Sequence, residues 1–95
     1  MQPSTRTFPE VQEILSRSGW NLAFLPVGCY EQHGPELPLD TDILQAQELA
    51  RRLAQRLEQS GLGRGLVLPP ITFTPTDPNR GYPGTVSISG DAFRA

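Results

Sequence analysis

The chain has 95 residues, of which 37% are hydrophobic and 19% charged, and its eight basic residues are all arginines against ten acids. This length allows one small hydrophobic core and excludes a two-domain enzyme. The scattered arginines and net charge of −2 argue against a nucleic-acid partner, and no apolar run is long enough to span a bilayer. With one cysteine and no recognisable secretion signal, we expect a globular, cytoplasmic protein.

The first predicted elements are a helix and a buried strand. Residues 1–7 are polar and are expected to be a loose terminus. Phe8 to Arg17 begins with proline and acids and ends with arginine, which is typical of a short helix. Residues 21–28 form an apolar run that predicts a strand, and Cys29 to Asp40 are expected to be an ordered loop.

The clearest element follows this loop. From Thr41 to Ser60, leucine and alanine recur at spacings of three and four, which predicts an amphipathic helix. Three glycines within residues 61–65 predict a flexible link, and Leu66 to Thr74 a second apolar strand broken by its two prolines. Residues 74–84 are predicted to be an irregular loop and Val86 to Ser89 a short strand.

This order of elements predicts the fold class. A strand, a crossover helix and a second strand form a parallel, right-handed unit of an α/β fold, which needs helices on both faces of its sheet. Few helices are predicted, and after Ser89 the sequence ends without a further element, so we expect the amino-terminal part of a larger fold. Trp20, Phe24 and Phe73 are expected in the core.

The loop before the long helix holds the residues best suited to chemistry. It contains the only histidine of the chain. It also follows a predicted parallel strand, and the ligand sites of open α/β sheets lie at the carboxyl ends of their strands. Glu31 and His33 are two residues apart and point the same way on an extended chain, while Asp42 lies in the first turn of the helix. An imidazole and two carboxylates suit zinc or manganese. The alternative is an ordinary loop histidine with solvated or helix-capping acids.

Two other groups of residues have simpler interpretations. Cys29 precedes the acidic loop, where neighbouring acids disfavour a thiolate nucleophile, so a buried small residue is the preferred interpretation. Arg51, Arg52 and Arg56 share a helix whose other side is apolar, which indicates a solvated face or a subunit contact.

The ordered motifs resemble the amino-terminal half of the creatininase family, the creatinine amidohydrolase-like metal enzymes. The match runs from about residue 21 to residue 89, and we interpret residues 1–95 as one partial creatininase-like domain. The motifs that carry the resemblance are Leu25-Pro26-Val27-Gly28, Glu31-Gln32-His33-Gly34-Pro35, Leu37-Pro38-Leu39, Thr41-Asp42, Leu68-Pro69-Pro70 and Tyr82-Pro83-Gly84-Thr85.

The resemblance implies a three-layer α/β/α fold with a mainly parallel sheet and a site for two divalent ions, Zn²⁺ and/or Mn²⁺. In the family a metal-bound hydroxide hydrolyses a cyclic or linear amide C–N bond. Carried over by motif, the ligands are Glu31, His33 and the bridging Asp42, with no further catalytic residue assigned. Glu36 stands where family members commonly carry a second histidine, and with Gly84 and Thr85 it is placed near the ligands or the substrate.

The resemblance also implies a small-molecule amide as substrate and a homo-oligomer, commonly a hexamer. The family's remaining ligands, another histidine and a glutamate, have no counterpart in these 95 residues, so the resemblance implies an incomplete dinuclear site in this chain. Three interpretations stay open. The chain is the amino-terminal part of a metal-dependent amidohydrolase, a non-catalytic chain that pairs with homologous chains, or a relative that cleaves a formamide or a short peptide.

Overall fold

The computed structural model describes residues 6–95, apart from the side chain of Trp20. The predicted loose terminus therefore lies largely outside the described residues. The chain divides into two compact units, of which the first combines the residues up to Pro26 with Gln47–Pro69 and the second combines Val27–Ala46 with Pro70–Ala95. The elements are α1 (Phe8–Ser16), β1 (Trp20–Phe24), α2 (Thr41–Gln59), β2 (Gly63–Val67), a 3-10 turn (Asp77–Asn79) and α3 (Gly90–Arg94).

The first unit contains the sheet. Strands β1 and β2 pair in parallel, in a register that runs from Trp20 opposite Gly63 to Phe24 opposite Val67. The ladder continues by one hydrogen bond, from the Leu68 amide to the Phe24 carbonyl at 2.9 Å. Because α2 connects the two parallel strands, the predicted strand, helix and strand of an α/β fold are confirmed.

Helix α1 begins where the sequence predicts. The Glu10 carboxylate accepts hydrogen bonds from the Thr7 amide at 3.4 Å and the Thr7 hydroxyl at 3.0 Å, which ties the first turn to the residue before the helix. Pro9 stands in this first turn, where its missing N–H has no helical partner to lose. Ile14 is the buried residue of the helix.

The predicted glycine link is wrong, because Gly63 and Gly65 belong to β2. A Cβ atom added at Gly65 would lie 2.5 Å from the Phe24 ring and 2.8 Å from the Ala54 Cα atom. The helix and the neighbouring strand thus approach β2 at a distance that only glycine permits. The predicted strand at residues 66–74 accordingly begins earlier and ends at Val67.

In the second unit, isolated β-bridges between single residues are found where the sequence predicted parts of strands. Val27 pairs with Ile71 in parallel, whereas the predicted strand at residues 21–28 stops at Phe24. Pro26 explains this break, since it has no N–H to continue a ladder. The predicted strand at residues 86–89 is likewise wrong: Val86 forms an isolated antiparallel bridge with Tyr30.

The last residues form a helix that the sequence analysis did not predict. The Ser89 hydroxyl accepts from the Ala92 amide at 3.0 Å and caps α3. The motif Ser89-Gly90-Asp91, a capping residue followed by an acid in the first turn, is the signal that was available for it.

The buried apolar residues are few, which matches the expected small core. Of the aromatic residues predicted in the core, Phe24 is half-buried, the side chain of Trp20 lies outside the described residues, and Phe73 is 49% exposed. The rings of Phe73 and Tyr30 contact each other in an edge-to-face arrangement, with 5.8 Å between their centroids. Apart from glycine and proline, the buried residues are Ile14, Ala50 and Val67 in the first unit and Ile43, Thr74 and Thr76 in the second.

Arg51, Arg52 and Arg56 of α2 are exposed, which agrees with either predicted interpretation, a solvated face or a subunit contact. Glu48 accepts from Arg51 at 2.6 Å and from Arg52 at 2.9 Å. Hydrogen bonds from these two guanidinium groups lower the pKa of Glu48 to about 2. No helix within residues 6–95 is both long and apolar enough to cross a membrane.

Replacement of Gly65 tests the close approach of helix and strand. We expect Gly65→Ala to lower the free energy of unfolding by about 1–3 kcal/mol, because the added methyl group meets backbone and a packed ring. Gly90→Ala is the matched control, since its methyl group would meet only the movable guanidinium of Arg94, at 3.3 Å. Urea unfolding of the two variants measures the difference, and equal midpoints would contradict the packing argument.

Candidate metal centre

The site lies in the second unit, where the chain after Val27 runs against the first turn of α2. A Cβ atom added at Gly28 would lie 2.9 Å from the Ile43 amide nitrogen and 3.1 Å from the Asp42 carbonyl carbon. Gly28 also donates to the Ile71 carbonyl at 3.0 Å. The backbone that leads into Cys29 and Glu31 is therefore held next to the residue that presents Asp42.

Three side chains converge at this place. Cys29, Glu31 and Asp42 each offer one ligand atom, and these atoms all lie within 4.8 Å of one another. All three side chains are half-buried. His33 joins them through Asp42, because its Nε2 atom is 2.9 Å from Asp42 Oδ1. The structure thus brings together the three predicted ligands and adds Cys29, which the sequence analysis set aside as a small buried residue.

Both ring nitrogens of His33 face acceptors. Nδ1 lies 3.1 Å from the Glu31 carbonyl oxygen, and Nε2 faces the Asp42 carboxylate. Without a metal, both nitrogens can donate only in the imidazolium form. With Nδ1–H kept on the Glu31 carbonyl, the lone pair of Nε2 is available for a cation, which is the usual arrangement of a metal-binding histidine.

The same contacts set the protonation of His33. The Glu31 carbonyl raises the pKa of His33 above its ordinary value and the Asp42 carboxylate raises it further, while partial desolvation opposes both. The ion pair of His33 with Asp42 therefore stabilises the folded chain at low pH. This contribution is lost as the pH rises through the raised pKa.

The Glu31 carboxylate is oriented by two residues of the 3-10 turn region. The Thr76 hydroxyl and the Asn79 amide both donate to Oε2 of Glu31, the latter at 2.6 Å. Asn79 is oriented in turn by Gln32, whose Nε2 donates to Asn79 Oδ1 at 2.8 Å. Since both hydrogen bonds end on Oε2, the other carboxylate oxygen faces no donor within residues 6–95 and can bind a cation.

The role of Thr76 and Asn79 was not predicted. Residues 74–84 were expected to be an irregular loop, although the run Thr76-Asp77-Pro78-Asn79 carries a signal. Proline early in a turn, flanked by threonine and asparagine, is typical of an ordered turn with side-chain hydrogen bonds. That these hydrogen bonds would reach Glu31, 45 residues or more earlier in the chain, could not be read from local spacing.

The three residues expected near the ligands differ in their positions. The Thr85 hydroxyl oxygen accepts a hydrogen bond from the backbone N–H of Gln32 at 3.0 Å, which places Thr85 beside the site. Gly84 has φ +88° and packs against Leu39, whose Cδ1 atom would lie 2.6 Å from an added Cβ. Glu36 is exposed in the turn after Gly34, so any role for it concerns a substrate rather than support of the ligands.

The donor set fits a divalent ion. Two carboxylates, an imidazole with the suitable nitrogen available and a sulfur atom are ligands that zinc accepts, and the carboxylates and imidazole also suit manganese. The helix start adds a favourable field for the carboxylate of Asp42. These residues define an α/β protein with a candidate divalent metal centre.

Comparison with known proteins gives the family. Residues 4–95 match the creatininase family, described as creatinine amidohydrolase. Mycofactocin precursor peptide peptidase of Mycobacterium ulcerans is 37% identical over 83 residues, covering 81% of this chain and 32% of that protein. Its counterpart from Mycolicibacterium smegmatis is 39% identical over 72 residues, covering 76% of this chain and 29% of that protein.

Solved structures of creatininases also match this chain. A crystal structure of creatinine amidohydrolase matches with a TM-score of 0.78 and 26% identity, over 95% of this chain and 34% of that one. Two further creatininase structures, each 25% identical, are described as a Zn–Zn type of a variant and as creatininase Mn, with TM-scores of 0.75 and 0.77. These two cover the same 95% of this chain and 34% of their own.

The chain belongs to the creatininase family, and its α/β fold is that of the solved creatininases. The resemblance on which the sequence analysis relied is therefore confirmed. The chain spans about a third of the length of the curated relatives it matches.

Titration of His33 tests the geometry of the site. We expect a pKa above the ordinary value of about 6.5 in the metal-free chain and a lower one in Asp42→Asn, which removes one of the groups that raise it. The ring resonances of the only histidine, followed by NMR against pH, give both values. Glu36→Gln is the control and should leave the titration unchanged. A normal pKa in the unsubstituted chain would contradict the two-acceptor arrangement.

Proposed function

We propose that this chain supplies Glu31, His33 and Asp42 as ligands to the divalent metal centre of a hydrolase that cleaves the C–N bond of an amide. The observation that carries the proposal is the pair of contacts at His33. Its Nδ1 atom faces a backbone carbonyl while Nε2 points at Asp42, so nitrogen and carboxylate donors meet at one point.

Each residue has a definite part in this proposal. Glu31 offers one carboxylate oxygen while Thr76 and Asn79 hold the other. Asp42 has two oxygens and lies between the Cys29–Glu31 side and His33, a position suited to contact two ions. A bound divalent ion, Zn²⁺ or Mn²⁺, supplies a Lewis acid that polarises the amide carbonyl and activates water. The creatininase structures described as Zn–Zn and Mn forms support these metals.

The substrate is an amide, and a specific observation favours a short peptide as the second candidate beside a small cyclic amide. The relatives named as peptide peptidases are 37–39% identical to this chain, whereas the solved creatininases named above are 25–26% identical. Glu36, where the resemblance leads one to expect a histidine, is exposed and free to contact a longer substrate.

The wider organisation follows the family. We place residues 1–95 in one partial creatininase-like domain, supported by the match over residues 4–95. A cytoplasmic location and a homo-oligomer complete the proposal.

Exchange of the matching segments tests the function. This chain, placed in the mycofactocin precursor peptide peptidase of Mycolicibacterium smegmatis in exchange for the segment it matches, should retain metal-dependent peptide cleavage. The same exchange with Asp42→Asn should lower kcat/KM by a factor on the order of 10³ or more, since the shared ligand is lost. Exchange with Asp77→Asn, which changes an exposed carboxylate with no part in the proposed site, is the folded control. Equal activity of the Asp42→Asn and unsubstituted exchanges would refute the ligand assignment. Creatinine, offered in parallel, distinguishes the two substrate classes.

The hydrogen bonds to Glu31 make a second prediction. Asn79→Ala should weaken Zn²⁺ binding by the chain by roughly 10- to 100-fold, because Glu31 loses the group that orients it. Asp77→Asn changes an exposed carboxylate in the same turn, 3.8 Å from Arg80, and should leave the affinity within about twofold of the original. Competition with a chromophoric chelator measures both, and equal affinities would show that the turn does not position Glu31.

A further inference from the structure

Cys29 is the one converging side chain that the proposed function leaves without a role. Its sulfur atom and one carboxylate oxygen from each of Glu31 and Asp42 all lie within 4.8 Å of one another. Donors of one tetrahedral zinc ion lie about 3.5 Å apart, given metal–ligand distances of about 2.0–2.3 Å. Small side-chain movements are thus enough to place sulfur and both carboxylates around one ion.

The backbone around Cys29 is held firmly. Gly28 donates to Ile71, and its carbonyl accepts from the Thr74 hydroxyl at 2.7 Å. On the other side, the Tyr30 carbonyl accepts from the Val86 amide at 2.9 Å. Hydrogen bonds on both sides therefore fix the direction in which the Cys29 side chain leaves the chain.

The contact of Cys29 with Thr74 leaves the sulfur lone pairs available. Sγ lies 3.0 Å from Thr74 Oγ1, and the hydroxyl proton of Thr74 is committed to the Gly28 carbonyl. The thiol is consequently the donor in this contact, and Thr74 offers no hydrogen to the sulfur. A cation between Cys29, Glu31 and Asp42 would bind these lone pairs.

We propose that Cys29 Sγ is a ligand of the divalent ion held by Glu31 and Asp42, so that this position binds Zn²⁺ in preference to Mn²⁺. The inference rests on the proposed metal centre. On binding, the S–H bond breaks, the proton passes to water and the sulfur electron pair forms the bond to the ion. A thiolate favours zinc because it is a soft ligand, whereas manganese prefers carboxylate and water oxygens.

Cobalt provides a direct readout of the sulfur bond. The chain has one cysteine, so a thiolate-to-cobalt charge-transfer band in the near ultraviolet can arise only from Cys29. We expect the Co²⁺-loaded chain to show this band and Cys29→Ser to lose it. The serine variant should also bind Zn²⁺ more weakly by a factor on the order of ten or more, while its affinity for Mn²⁺ changes by about twofold or less.

Protection of the thiol is a measurement that needs no variant. Zn²⁺ should slow the alkylation of Cys29 by iodoacetamide, measured by mass spectrometry, by a factor on the order of ten or more. Mn²⁺ at an equal concentration should protect less. Asp42→Asn is the control, since loss of a carboxylate ligand should remove the protection by Zn²⁺. This assay decides the proposal even where Cys29→Ser fails to fold.

The outcomes separate the two proposals. Cobalt binding that depends on Asp42 but shows no charge-transfer band, with unprotected thiol, would overturn the role of Cys29 and leave the proposed function standing. No binding of Co²⁺ or Zn²⁺ by the chain would overturn both. Equal loss of Zn²⁺ and Mn²⁺ affinity in a folded Cys29→Ser variant would overturn the metal preference.

Discussion

The close approach of Gly28 to the first turn of α2 is the constraint on which the candidate site depends. The missing Cβ lets the backbone after Val27 lie against the Asp42 and Ile43 peptide groups, where any side chain would meet backbone atoms at 2.9–3.1 Å. Because Cys29 and Glu31 follow within three residues, their side chains reach the carboxylate of Asp42. The absence of a side chain at one glycine thus lets the loop pack against the helix, and the loop carries the other proposed ligands.

The polar network behind the ligands shows how a half-buried carboxylate and imidazole are kept in place. Thr76 and Asn79 leave one oxygen of Glu31 open, and Gln32 orients Asn79. His33 uses one nitrogen for a backbone carbonyl and keeps the other toward Asp42. In the proposed metal centre a proton and the cation would compete for the same nitrogen, so metal affinity would depend on pH, and the raised pKa of His33 would strengthen the competition.

Sequence reasoning succeeded where the signal was local. The periodicity of α2, the proline at the start of α1 and the ordered motifs from Leu25 to Thr85 carried the fold class and the family. Sequence reasoning failed where contacts with distant segments of the chain determine the local structure. Gly65 was expected in a flexible link because the neighbouring sequence does not indicate that Ala54 and Phe24 pack against it. Asn79 was expected in an irregular loop because its hydrogen-bond partner, Glu31, lies 48 residues earlier in the chain. Phe73 was expected in the core because it is aromatic, yet about half of its surface is exposed.

The position of Cys29 shows why a donor set must be judged by geometry rather than by residue type. In the sequence it precedes an acidic loop, which disfavours a nucleophilic thiolate, and that argument concerns a sulfur without a cation. In the structure, one carboxylate oxygen from each of Glu31 and Asp42 lies within 4.8 Å of the sulfur, and such negative charge favours a divalent cation at this place. The acidic surroundings therefore support the ligand role proposed for Cys29.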